Sequence, residues 1–83
     1  MASLSERKAH RQSIMQAVYD LTGGSTMKSV NVAELASELG ISPEDMRDAL
    51  DYLLNEGELK QLTMGTVELT HHGLVKMESE DDG

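Results

Sequence analysis

The stretch from Leu35 to Leu50, LASELGISPEDMRDAL, constrains the fold more than any other part of this chain. Leu35, Ala36 and Leu39 recur at helical spacing and stop at Gly40, which takes a left-handed turn at little cost. Ile41 follows as an apolar residue pointing inward. Ser42 is then a good cap for a new helix, and Pro43 falls in its first turn, where a missing N–H costs nothing. Met46, Ala49, Leu50, Leu53 and Leu54 give that helix an apolar inner face. Two short helices joined by a tight turn must pack against each other, and they need a third element to cover them.

The flanking sequence supplies it. Residues 5–22 predict a first helix, capped by Ser5, with Lys8 at the third position and Ile14, Val18 and Leu21 on one side beside Ala17. Gly23-Gly24 ends it. A polar loop follows, with a short strand expected over Met27 to Val30. Asn31 and Glu34 have the spacing of a capping box for the second helix. Gly57 stops the third helix. Two apolar segments then follow, Glu58 to Leu62 and Thr66 to Thr70, around the turn Thr63-Met64-Gly65, which predicts a β-hairpin. Thr70 is placed to cap a short last helix, with Leu74, Val75 and Met77 available for packing. The expected class is a small α+β fold. Residues 1–4 are expected as a flexible N-terminus, 5–77 as one domain and 78–83 as an acidic disordered tail.

Composition narrows the function. The 83 residues hold no cysteine, which removes disulfides, thiolate metal sites and a thiol nucleophile. No apolar run approaches the roughly 20 residues that span a bilayer, and the N-terminus lacks an apolar signal core, so a cytoplasmic, intracellular protein without membrane contact is expected. With two Tyr and neither Phe nor Trp, the core is aliphatic, and six Met add adaptable packing. The net charge of −8 is uneven. Residues 1–41 are neutral, whereas residues 42–83 carry eleven acids against Arg47, Lys60 and Lys76. A phosphate-binding domain instead concentrates bases on one face.

The order helix, short strand, helix, helix, hairpin, helix resembles the winged helix-turn-helix family. The residues that carry the resemblance are Leu39-Gly40-Ile41-Ser42, Leu50-x-x-Leu53-x-x-x-Gly57-x-Leu59, and Leu69-Thr70-x-x-Gly73, which is similar to the LTxxG that closes the wing in many bacterial and archaeal regulators. The resemblance implies a three-helix core, a hairpin wing and, by family default, DNA binding through the third helix. A second, partial resemblance lies in Ala49-Leu50-Asp51-Tyr52-Leu53 followed by Asn55-Glu56-Gly57. It is similar to the C-terminal winged-helix domain of the middle replication protein A subunit, which implies recruitment of protein partners.

The candidate contacts follow from these placements. On the third helix they are Glu44, Asp45, Arg47, Asp48 and Asp51. Arg47 suits guanine O6 and N7, and Ser42 stands at the helix start, but the carboxylates repel phosphates. The face reads as a DNA reader, as a solvated acidic surface, or as a contact for a basic or amphipathic protein segment. The last is the partner expected, with DNA disfavoured by charge; a DNA-bound form would be nucleoid-associated. Arg7, Lys8 and Arg11, beside His10, form the one basic cluster and, with Lys60, are the remaining candidates for phosphate contact. The wing tip Thr63, Met64, Gly65 and Thr66 has no Arg or Lys, and Met64 either offers an adaptable protein contact or folds inward. His71 and His72 are adjacent, point about 100° apart on a helix and rarely share a metal ion. No cofactor, no metal and no enzyme chemistry is expected. The chain is expected as a monomer or a homodimer, with Leu4, Leu74 and Met77 the apolar positions available to a dimer.

Overall fold

Ser3, not Ser5, starts the first helix. The Glu6 amide donates to Ser3 Oγ (3.2 Å) and the Ser3 amide donates to Glu6 Oε1 (3.5 Å), a reciprocal capping box. The physical reason is the third position: Glu6 returns a hydrogen bond, whereas Lys8, three residues beyond Ser5, has no acceptor to offer. The helix, α1, runs Leu4–Thr22. The computed structural model describes residues 3–63 and 65–81. Met64 of the expected wing tip and residues 1–2 and 82–83 lie outside the described residues.

The elements that follow are β1 (Ser29–Asn31), α2 (Val32–Leu39), α3 (Pro43–Asn55), β2 (Leu59–Thr63), β3 (Thr66–Leu69) and α4 (His71–Asp81). Their order is the one expected from the sequence. Together they make a small α+β fold of four helices and one antiparallel sheet, ordered β1-β3-β2. Val30 pairs with Val67 and Leu59 with Leu69. This register turns Val30, Val67, Leu59 and Leu69 toward the helices, and all four are buried. A bulge between Gln61 and Thr63 sets Leu62 out of the ladder and leaves it exposed. Thr63 pairs with Thr66, and their hydroxyls share a 2.8 Å hydrogen bond. Thr63 therefore belongs to the ladder and not to the turn.

The core is built from Ile14, Met15 and Val18 of α1, Leu35 of α2, Ile41, and Met46, Ala49, Leu50 and Leu53 of α3, closed by the four sheet residues. Leu21 is not among them: it is 55% exposed. The buried side of α1 is centred between Met15 and Val18, which places Leu21 at its edge and Thr22 inside it. Thr22 is tolerated there because its hydroxyl donates to the Val18 carbonyl at 2.7 Å. Leu74 and Met77 rest partly buried against the chain's own core, Val75 is exposed, and Leu4 is exposed on the first turn of α1.

Three caps set the helix–turn–helix segment. Asn31 Oδ1 accepts from the Glu34 amide (3.0 Å), and Ser42 Oγ accepts from the Asp45 amide (3.2 Å). Between them Gly40 sits at φ 67°, and its turn returns the Ile41 amide to the Ala36 carbonyl at 3.1 Å. A residue with a Cβ is strained at that φ.

The end of α3 is locked to the start of α4. Thr70 Oγ1 donates to the Gly57 carbonyl (2.5 Å) and accepts from the Gly73 amide (3.0 Å), while the Thr70 amide donates to the Glu58 carbonyl (3.3 Å). Gly73 is buried against that same Glu58 backbone: a Cβ there would lie 2.2 Å from the Glu58 carbonyl oxygen. The Glu58 side chain is itself buried and pairs with Lys76 Nζ of α4 at 3.1 Å. The Thr70-x-x-Gly73 spacing thus has a structural use. One residue bridges two helix ends, and the other lets them touch. The α4 backbone continues to Asp81, past the boundary at 78 expected for a disordered tail. No Gly or Pro interrupts residues 74–81, and glutamate is a good helix former.

Candidate binding face

The core registration of α3 decides which of its side chains are free. With Met46, Ala49, Leu50 and Leu53 buried, Glu44, Arg47, Asp48, Asp51 and Tyr52 are exposed and Asp45 is half-buried. The candidates on this helix therefore share one solvent-facing surface, as their spacing required. Ser42 is committed as the cap. Pro43, Glu44 and Asp45 fill the first turn, where carboxylates are favoured by the helix dipole.

The structure divides that surface into two sides. On one side, Asp45 and Asp48 share a small cleft of about 130 Å³ with Arg7, His10 and Arg11 of α1. The Arg11 guanidinium carbon lies 3.9 Å from the centroid of the Tyr52 ring, a cation–π contact across the two helices. Part of the basic cluster thus faces carboxylates of its own chain. Lys8 instead borders a wide hollow of about 850 Å³ between α1, α3 and α4, into which Glu58 and Lys76 also face.

On the other side, α2, α3 and the hairpin enclose an open groove of about 690 Å³. Its α3 wall is Pro43, Met46, Leu50 and Leu54, rimmed by Arg47 and Asp51. Its α2 wall is Val32, Ala33, Ala36, Ser37 and Gly40, and Gln61, Gly65 and Val67 close the hairpin end. Ala33, Ser37 and Gly40 are spaced i, i+4 and i+7, so α2 presents its smallest side chains here. The two helices that wall the groove carry Glu34, Glu38, Glu44, Asp45, Asp48 and Asp51 against Arg47 alone.

The remaining candidates do not join this arrangement as one site. Lys60 is exposed on β2, with Glu68 directly opposite it on β3. Thr63 and Thr66 hold each other through their hydroxyls, and of the wing-tip residues described, Gly65 lines the groove. His71 and His72 are exposed in the first turn of α4. Among the described residues, no three His, Cys, Asp or Glu side chains are placed to hold a metal ion, and no helix is long and apolar enough to cross a membrane.

The α2 wall is the part that sequence reasoning missed. Its signal was present as the small-residue spacing Ala33-x-x-x-Ser37-x-x-Gly40, but the inner stripe of Leu35 and Leu39 dominates the same eight residues. The contact between Arg11 and Tyr52 joins residues far apart in the chain and left no mark in local spacing. Compared with known proteins, the chain matches no family model, no curated sequence and no solved structure.

Proposed function

We propose that this chain is a non-enzymatic winged-helix module that binds a protein partner through a basic or amphipathic segment, in a transcription or DNA-transaction setting. The order of elements and the Gly40 turn between two capped helices support the winged-helix reading. The observation that carries the function is the charge of α3. Where a DNA reader of this kind places its bases, α3 exposes Glu44, Asp48 and Asp51 against Arg47. Each carboxylate held about 4 Å from a phosphate costs on the order of 1 kcal/mol even in bulk water. Binding to a duplex gains its affinity from phosphate neutralisation, which this face opposes. The same carboxylates attract lysine and arginine on a protein segment and set its orientation.

The test is fluorescence anisotropy with a labelled mixed-sequence duplex at low salt. The native chain gives no saturable binding, whereas a variant with Glu44→Gln, Asp48→Lys and Asp51→Lys acquires salt-sensitive affinity. Saturable binding by the native chain that falls steeply with added salt instead establishes a DNA-binding regulator of the winged helix-turn-helix type.

A further inference from the structure

We infer that the chain carries an internal competitor for its own acidic face: Arg11 of α1 holds, on Tyr52 of α3, the place that an arginine of a protein partner takes. This rests on the reading of α3 as a protein-binding face, and it names the partner's side chain and what stands in its way.

Asp45, Asp48 and Tyr52 are spaced i, i+3 and i+7, so two carboxylates and a ring lie along one side of α3. That set matches a guanidinium, which stacks flat on an aromatic face and offers paired N–H donors to a carboxylate. An ammonium has no flat face, so a lysine gains less from the ring. Tyr52 is 42% exposed, so the fold does not seal the ring against a partner.

The fold shows part of this match within itself. The Arg11 guanidinium carbon lies 3.9 Å from the centroid of the ring, and Arg7 and His10 line the same cleft of about 130 Å³. Yet Arg11 makes the stack without the carboxylates. Among the described residues, the side chains of Asp45 and Asp48 have neither an ion pair nor a hydrogen bond. Arg11 reaches the ring from α1, whose position is set by Ile14, Met15 and Val18 in the core. A partner's arginine has no such tether and can take the ring and a carboxylate together.

The internal contact is also weak enough to give way. A cation–π contact at an exposed site is worth about two- to fivefold in an equilibrium constant. A partner loses that factor while Arg11 is present and recovers it when Arg11 is removed.

The probe is a synthetic Gly-Arg repeat peptide, beside a Gly-Lys repeat of equal length. Each is titrated at low salt into isotope-labelled protein and observed by NMR. The Arg peptide is expected to bind more tightly than the Lys peptide, with shifts at Asp45, Asp48, Ala49 and Tyr52. Arg11→Ala is expected to tighten the Arg peptide by about two- to fivefold. Arg11→Gln keeps more of the side chain, is expected to do the same, and serves should the first variant fold poorly. Lys28→Ala removes an equal charge from the exposed loop before β1 and is expected to change the affinity less. It separates competition at Tyr52 from a change in net charge. Tyr52→Leu is expected to abolish the preference for arginine. Unchanged or weaker binding of the Arg peptide by both Arg11 variants overturns the inference, as does a tightening that Lys28→Ala matches. Equal binding of the two peptides by the native chain overturns it as well. Shifts confined to Glu44, Arg47 and Asp51 overturn the site at Tyr52 but leave a protein-binding α3 standing. Absence of binding of either peptide to the native chain and the Arg11 variants overturns both the inference and the reading beneath it.

Discussion

Replacing Gly73 with alanine tests the packing that closes the fold. At an exposed helix position this change stabilises by about 1 kcal/mol, because alanine has the higher helix propensity. Here the added Cβ would lie 2.2 Å from the Glu58 carbonyl oxygen, 3.0 Å from its carbon and 3.2 Å from its Cα. These are backbone atoms, so no side chain can rotate away. Restoring an ordinary contact requires α4 to lift by about 1 Å, since attractive separations begin near 3.5 Å. That movement strains the Thr70 hydrogen bonds to Gly57 and Gly73 and the Glu58–Lys76 pair. Overpacking costs about 1–3 kcal/mol and each weakened hydrogen bond up to about 1 kcal/mol. Set against the propensity gain, the expected net loss is about 2–3 kcal/mol. For a domain of this size that lowers Tm by roughly 8–24 °C. Thermal and urea unfolding followed by circular dichroism measure it. An unchanged or raised Tm would show that α4 does not rest on the Glu58 backbone, and the reasoning would fail.

Ser42→Ala removes the acceptor of the Asp45 amide and costs about 1 kcal/mol in urea unfolding, while Asn31→Ala costs a similar amount at α2. Lys76→Met leaves the buried Glu58 carboxylate without its 3.1 Å partner. It is expected to cost about 1–2 kcal/mol, less than breaking a fully buried pair because Lys76 is half exposed; the double variant with Glu58→Gln recovers part of the loss. Arg11→Ala removes the cation–π contact with Tyr52 and lowers stability by only about 0.5–1 kcal/mol. Leu21→Gln, at an exposed position, leaves the urea midpoint within the small range of surface substitutions, about 0.5 kcal/mol either way.

Local chemistry explains which parts were legible in the sequence. Gly40, Ser42 and Pro43 each impose one backbone geometry within a few residues, so the turn between α2 and α3 follows from the sequence alone. The alternation in Thr66 to Leu69 likewise fixes which residues of β3 face inward. Two serines, Ser3 and Ser5, stand two positions apart and both offer a cap for α1. Only the side chain three residues on decides between them. Leu21 reads as core because hydrophobicity marks candidates for burial and does not rank them; the edge of a helical face is set by what packs there. The acids of α3 were legible as a charged surface. Their division was not, since Asp45 and Asp48 meet α1 while Asp51 meets the groove, and that depends on the angle between α1 and α3. The groove is also a tertiary object, made by three elements and announced by none of them singly.

The central claim, that α3 repels a duplex and serves protein contact, is tested most directly by residue-resolved NMR of the native chain titrated with a mixed-sequence duplex at low salt. The account predicts amide positions that stay fixed across α3 and the hairpin at excess DNA, including Arg47, Asp51, Lys60 and Thr66. Saturating shifts at those residues that disappear as salt is added would contradict it and assign α3 to the DNA.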